Sequence, residues 1–289
     1  MVAYTIRTMT YASAQLYTYD QLACIYNAAR VDYIVPMPMN AHRMADYVHN
    51  YDIDLSASSV SLNEDHTPTG VVMVGIRGDR AWITRLGVIP EMRGCKVGQG
   101  LMETSIENAV ESGVRRIQLE VIQGNESAHR LFLKLGFQDV RELLVVRRPP
   151  APLSPSFASW GETITHMEQL EAKALSSCLA QCPSDSAWTE ESASLRHLEN
   201  LTGITLTLSS GECGWALFQP LPFQLLHLVI NPDASESMIR ALLFQVHQSY
   251  PMLDYKVENI PASHPIWLVM QTFGYLEAFR RTEMYLTLP

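Results

Sequence analysis

Between Leu86 and Met102 an apolar strand-like stretch ends at Pro90, a glycine-containing turn follows, and an amphipathic segment with helical periodicity begins. Strand, loop and helix start in that order make an anion-binding geometry. The unpaired N–H groups of a helix's first turn and its positive dipole end can receive a phosphate. Gly94 and Gly98 let the main chain approach such a ligand with no Cβ in the way, and Arg93 and Lys96 add charge. The stretch lacks the Gly-Lys-Ser/Thr of a mononucleotide loop and the G-x-G-x-x-G of a dinucleotide fold.

The chain of 289 residues is longer than one ordinary core organises, so two domains of similar length are expected. The break is placed at Pro149, Pro150, Pro152 and Pro155, because closely spaced prolines remove backbone donors and leave a stiff connector. The expected division is a first domain over 1–148, a linker over 149–155 and a second domain over 156–289. In the first, the pattern predicts strands near 3–8, 56–63, 69–77, 80–89, 115–122 and 137–147, with helices near 19–30, 40–50, 97–112 and 125–135. In the second, it predicts helices near 163–181, 189–200, 234–249 and 264–273, with strands near 203–209, 213–219, 223–231, 254–260 and 275–288.

The element order of the second half repeats that of the first, and some residues repeat too. Leu86-Gly87-Val88-Ile89-Pro90 is echoed by Leu228-Val229-Ile230-Asn231-Pro232, Gly136-Phe137 by Gly274-Tyr275, and Glu120 by Glu258. A duplicated α/β domain is the expectation.

A second motif lies thirty residues beyond the loop, in Asn125-Glu126-Ser127-Ala128-His129-Arg130-Leu131-Phe132-Leu133-Lys134-Leu135-Gly136-Phe137. By pattern alone, Ala128, Leu131, Phe132 and Leu135 share one helical face and Gly136 ends the helix. Arg93-Gly94-x-x-x-Gly98 resembles the coenzyme A loop of the GNAT acyltransferase superfamily, and the Asn125–Phe137 segment resembles that family's Asn-x-x-Ala-x-x-Leu-Tyr-x-x-x-Gly-Phe. The resemblance implies a mixed, largely antiparallel sheet that splays between strands 80–89 and 115–122. It also implies acetyl-CoA as cofactor, held by Leu86, Gly87 and Val88 of the strand, by Arg93, Gly94, Cys95, Lys96, Val97 and Gly98 of the loop, and by Asn125 and Phe132. Lys96 stands where the family has a glycine. Phe132 stands where it often has a tyrosine acid, so Ser127, His129 or a water would serve instead.

Acyl transfer to a protonated amine needs a base. Leu119 and Val121 face one way in their strand and Glu120 the other, which makes Glu120 the expected catalytic base; a Glu before Val here resembles the ribosomal-protein alanine N-acetyltransferases of the superfamily. The expected activity is acetyl-CoA-dependent N-acetylation of a small-molecule or peptidyl primary amine. A non-catalytic acyl-CoA-binding or regulatory module is the alternative that Phe132 and Lys96 keep open.

The loop Asp233-Ala234-Ser235-Glu236-Ser237-Met238 of the second half has no glycine and two acids, so the second copy is read as degenerate. Residues 1–150 carry 15 Lys/Arg against 16 Asp/Glu, and residues 151–289 carry 6 against 14. Such an acidic chain is a poor polyanion binder, so no nucleic-acid partner is expected. No membrane partner is expected either, since no apolar run approaches a bilayer span. Five cysteines without metal-ligand spacing, and the lack of a signal-peptide core, point to a cytoplasmic protein with no metal. Among oligomeric states a homodimer is left open.

Overall fold

The computed structural model describes residues 9–153 and 163–288. The strand expected near 3–8 lies outside them, and the first described strand is β1 (Thr10–Ser13). The chain forms two compact units, residues 1–140 together with 283–289, and residues 141–282. This division differs from the one placed at the prolines. The C-terminal strand β12 (Leu276–Thr287) ends in the first unit, and β6 (Gln138–Arg148) lies mostly in the second.

In unit 1 the strand order is β1, β2 (Ser59–Leu62), β3 (Pro68–Arg77), β4 (Arg80–Val88), β5 (Arg116–Ile122) and then β12. The first three pairings are antiparallel and β4 with β5 is parallel. β3 is central and reads as an apolar run, with Val71, Val72, Met73 and Val74 all fully buried. Helix α1 (Tyr19–Ala29) starts on a reciprocal cap, Thr18 accepting from the Gln21 N–H and Gln21 from the Thr18 N–H; α2 (Ala41–Asn50) starts on Asn40. On the other face α3 (Val97–Glu111) and α4 (Glu126–Lys134) bury Val97, Leu101, Met102 and Phe132 against Ala81, Ile83, Ile117 and Leu119. Met284 of β12 is fully buried in this same core.

Unit 2 repeats the scheme in the order β6, β11 (Asp254–Pro261), β10 (Gln224–Ile230), β9 (Cys213–Pro220), β8 (Thr202–Leu208) and β7 (Ile164–Gln169). Its helices are α5 (Ala172–Leu179), α6 (Ser192–His197), α7 (Glu236–Ser249) and α8 (Ile266–Thr272). β10 and β11 form its parallel pair. Gly136 and Gly274, with φ of 93° and 85°, follow α4 and α8 as left-handed helix stops.

The helix expected over 163–181 is corrected here: Ile164–Gln169 is an edge strand, and the helix begins only at Ala172. Pairing with β8, from Ile164 opposite Leu208 to Gln169 opposite Ile204, overrides a polar pattern that is compatible with either state. Among the described residues no helix is long and apolar enough to cross a membrane.

Candidate functional site

β4 and β5 pair over only three residues, Arg80 with Arg116, Ala81 with Ile117 and Trp82 with Gln118. β4 continues to Val88 and β5 to Ile122, so beyond Trp82 and Gln118 the parallel strands part and leave a wedge between them. A bulge widens the departure. On β3 two steps separate Val71 from Met73, while their partners Gly87 and Thr84 lie three apart, which puts the extra residue on β4. Arg85 takes a left-handed φ of 55° there.

The bulge changes which side chains face which layer. Ala81 and Ile83 pack into the core with α3, and after the bulge Leu86 and Val88 do so. Trp82 and Thr84 face the other way, and Arg85 joins them, as does Gly87, where an added Cβ would lie 2.9 Å from that of Ala29 in α1.

At the mouth of the wedge, β4 runs into a 3-10 turn (Pro90–Met92) anchored by buried Met92, and then into the loop. Gly94 has φ of 76°; Lys96 is left-handed at φ 64° and ψ 7°, and serves as the residue before α3 with no side-chain cap. Lys96 thus adopts the conformation that a glycine would take freely. The first bond of α3 runs from the Gly100 N–H to the Lys96 carbonyl, so the N–H groups of Val97, Gly98 and Gln99 precede any intrahelical acceptor. Gly98 keeps this approach open; a Cβ there would meet only Val88 at 3.6 Å and Leu131 at 3.8 Å. Gly100 has a different reason to be small, because an added Cβ would collide with the Tyr11 hydroxyl. These features fit a pyrophosphate at the helix start and an extended thiol arm in the wedge.

Arg93 does not project freely toward that anion position. Its Nη atoms bond both carboxylate oxygens of Asp32 at 2.7 and 2.6 Å, its Nη2 also reaches the Ala29 carbonyl, and its Nε bonds the Val88 carbonyl at 3.1 Å. The hydrogen bonds from Arg93 hold the Asp32 carboxyl below its usual range. Arg93 therefore clamps the loop to the end of α1. The Leu86 carbonyl in turn accepts from Arg30 Nη1 at 3.3 Å.

Asn125 caps α4, its Oδ1 accepting from the Ala128 N–H at 3.3 Å. Phe132 is buried, 6.0 Å from the Phe137 ring, and belongs to the core of unit 1. His129 bonds Asp139 at 2.8 Å, and Cys95 is exposed. Glu120 lies on the face opposite Leu119 and Val121, as its strand position predicts, and its Oε2 accepts from Trp82 Nε1 at 2.7 Å. Trp82, Tyr47 and Tyr51 form an aromatic cluster with centroids 4.9 to 6.1 Å apart, and the Tyr47 hydroxyl is 2.7 Å from that of Thr84. Burial pushes the Tyr47 phenol up and outweighs the Arg85 charge, which pulls it down, so the hydroxyl stays protonated.

Tyr26, Tyr47, Trp82 and Arg85 were not picked out by sequence reasoning. One signal was present: the apolar parity of β4 shifts from Ala81 and Ile83 to Leu86 and Val88, the mark of a bulge at Arg85.

Residues 22–137 match the model of the Acetyltransferase (GNAT) family. A Bacillus subtilis (strain 168) protein that carries the name of a ribosomal protein bS18-alanine N-acetyltransferase is 34% identical over 77 residues, 27% of this chain; the chain spans about half, 51%, of that relative's length. Among solved structures, a GCN5-related N-acetyltransferase from Sphaerobacter thermophilus has a TM-score of 0.68 at 15% identity, covering 98% of this chain and 96% of its own. A tandem GNAT protein from the clavulanic acid biosynthesis pathway has a TM-score of 0.63 at 13% identity, covering 97% and 98%. These likenesses show the fold, an open mixed sheet flanked by helices.

Proposed function

With a GNAT acetyltransferase domain at residues 22–137 as premise, we propose that unit 1 transfers an acetyl group from acetyl-CoA to a primary amine of a small molecule or peptide. The observation that carries the reading is the wedge itself: β4 and β5 part after Trp82 and Gln118, and Glu120 stands two residues past the parting on the aromatic-lined face.

When bound, acetyl-CoA supplies an acyl group on a thioester. The N–H groups of Val97, Gly98 and Gln99 receive its pyrophosphate, while Gly94 and Lys96 shape the turn and Arg93 braces it. The wedge edge of Leu86, Gly87 and Val88 offers main chain to the thiol arm. Glu120, oriented by Trp82, takes the proton that an amine must lose before it can attack. Phe132, lodged in the core, offers no proton, and a thiolate leaves without one because thiols ionise near pH 8 to 9.

We read unit 2 as a degenerate copy. Its helix start is already filled: Ser235 caps α7, and the Glu212 carboxylate accepts from the Ser235 N–H at 2.9 Å and its hydroxyl at 2.6 Å. Five free cysteines suit a cytoplasmic setting for this reaction.

Thiol release from acetyl-CoA with a panel of amines tests the reading. Glu120→Gln is expected to lower kcat about 100-fold or more while leaving acetyl-CoA affinity unchanged. Unchanged turnover would remove Glu120 as the base. Saturable acetyl-CoA binding with no transfer to any amine would turn the reading toward a binding module.

A further inference from the structure

Arg85, like Arg148, is a guanidinium with no carboxylate partner among the described residues. Arg77 is paired with Asp52 at 2.6 Å, Arg281 with Glu258 at 2.7 Å, and Arg148 donates to the carbonyls of Phe273 and Ala151. Arg85 has only neutral partners among the described residues: the Tyr26 hydroxyl at 2.9 Å, Met37 Sδ at 3.6 Å, and the Tyr47 ring face 4.3 Å from its Cζ. Its Nε is buried without a hydrogen bond.

A second guanidinium without a carboxylate partner lies near. Arg30 bonds the Leu86 carbonyl, and its Cζ is 5.3 Å from the Tyr26 ring, against 5.4 Å for Arg85. Two cations flanking one phenol, with no anion between them among the described residues, are costly to hold out of water. The bulge adds to that cost by holding a non-glycine residue at φ of 55°. Strain and desolvation together keep a planar fork of donors on the face that carries Glu120. That fork matches a carboxylate, which it binds through two parallel hydrogen bonds.

We infer that Arg85 receives a carboxylate of the acceptor, so that the acceptor is an amino acid with its acid group free. The inference rests on the acetyl-transfer reading. Tyr26 and Met37 hold Nη1, the carboxylate is received on the Nε–Nη2 edge, whose Nε is buried without a partner, and the amine of the same molecule is delivered toward Glu120. A peptide N-terminus has an amide where this acid would be, and so leaves Arg85 unmatched.

The test uses the full chain with acetyl-CoA and a panel of free α-, β- and γ-amino acids, each beside its own carboxamide. Wild type is expected to prefer at least one acid over its amide by roughly tenfold or more in kcat/KM. Arg85→Gln should erase that preference by raising KM for the acid about 100-fold, and Arg85→Lys should restore part of it. A binding arm needs no turnover: N-acetyl amino acids should raise the melting temperature of wild type but not of Arg85→Gln, and N-acetyl amino amides should raise neither. Thermal midpoints of both variants confirm that they fold.

Equal use of acids and amides, or a preference that survives in Arg85→Gln, overturns the inference. So does acetylation of a peptide amine with no amino acid either bound or acetylated, which leaves the acetyl-transfer reading standing. Absence of acetyl-CoA binding and of any transfer would instead sink that reading as well.

Discussion

Each unit has one parallel strand pair that holds for three residues and then parts: β4 and β5 after Trp82 and Gln118, β10 and β11 after Leu226 and Lys256. Each has a left-handed residue on the parting strand, Arg85 in one and His227 in the other, and a glutamate two residues past the last pair, Glu120 and Glu258. The side-chain partners of the second glutamate are cations. Glu258 is gripped by Lys256 and Arg281; burial would raise its pKa, but the two cations pull it far below the usual carboxylate range. Arg281 also bonds Asn259 at 2.7 Å, and His227 bonds Glu190 at 3.2 Å. A carboxylate fixed between two cations takes no proton from an amine at neutral pH; Glu120 accepts from the Trp82 indole at 2.7 Å. The helix starts differ too, since α7 carries an internal serine cap and a carboxylate, while among the described residues α3 has no side-chain cap at Lys96. In unit 2 both the glutamate and the helix start are engaged by that unit's own side chains.

The largest expected effect concerns where unit 1 ends. A protein cut after residue 150 lacks Glu283–Pro289, and with it Met284 from the core of unit 1 and the bond from the Leu288 N–H to the Arg115 carbonyl. Removing one fully buried methionine side chain alone costs about 2–5 kcal/mol. Such a fragment is expected to show no cooperative melting by circular dichroism and no acetyl-CoA binding by calorimetry. A fragment that binds like the full chain would make residues 1–150 self-sufficient and the β12 contribution incidental.

Glu258→Gln sharpens the contrast between the two glutamates. It leaves Lys256 and Arg281 facing a neutral amide, and is expected to cost roughly 2–3 kcal/mol in denaturant melts, with turnover unchanged. Loss of turnover without loss of stability would assign chemistry to unit 2.

A third contrast is pH dependence. His247, fully buried against Tyr255 at 4.1 Å and flanked by Phe273 and Tyr275, is lowered to about 3 by burial and by the Arg148 charge. The unfolded chain then binds more protons, so stability present above pH about 6.5 falls as pH drops toward 3, by about 2 kcal/mol at pH 5. His227 acts in the opposite sense: burial opposes its charge, but Glu190 and Glu258 outweigh burial and raise its pKa, so its contribution is lost as pH rises. His247→Phe separates the two. The variant should lose most of the difference between wild-type melts at pH 5 and pH 8, and an unaltered difference would exclude His247 as its source.

The sequence was most legible where the signal is local. The Arg93–Gly98 turn and the Asn125–Phe137 segment located β4, α3, β5 and α4 in order, and strand alternation put Glu120 on the correct face. The partner of Arg93 was not legible, because Asp32 lies 61 residues away and only the fold brings it to the loop. The strand assignment at the two ends was hidden for a related reason. β6 and β12 are long strands of 11 and 12 residues, and nothing in either sequence says which unit it completes. The edge strand β7 reads as polar because most of its side chains are exposed, so periodicity had little to report.

The smallest effect tests why Lys96 stands at a left-handed loop position that a glycine would occupy without strain. A left-handed lysine costs about 1–2 kcal/mol relative to glycine, partly offset by the greater freedom of glycine in the unfolded chain. Lys96→Gly is therefore expected to stabilise the protein by about 1 kcal/mol and raise Tm by about 2–4 °C. Lys96→Ala keeps the strain and should leave Tm flat or lower. Both remove a cation beside the helix start, so both should weaken acetyl-CoA binding, by about threefold to tenfold, with the loss shrinking as salt rises. A drop in Tm for Lys96→Gly would mean that the lysine side chain holds the loop together by itself. Unchanged acetyl-CoA affinity in both variants would mean that main-chain N–H groups alone supply the anion site, and that the contrast with α7 is one of shape rather than charge.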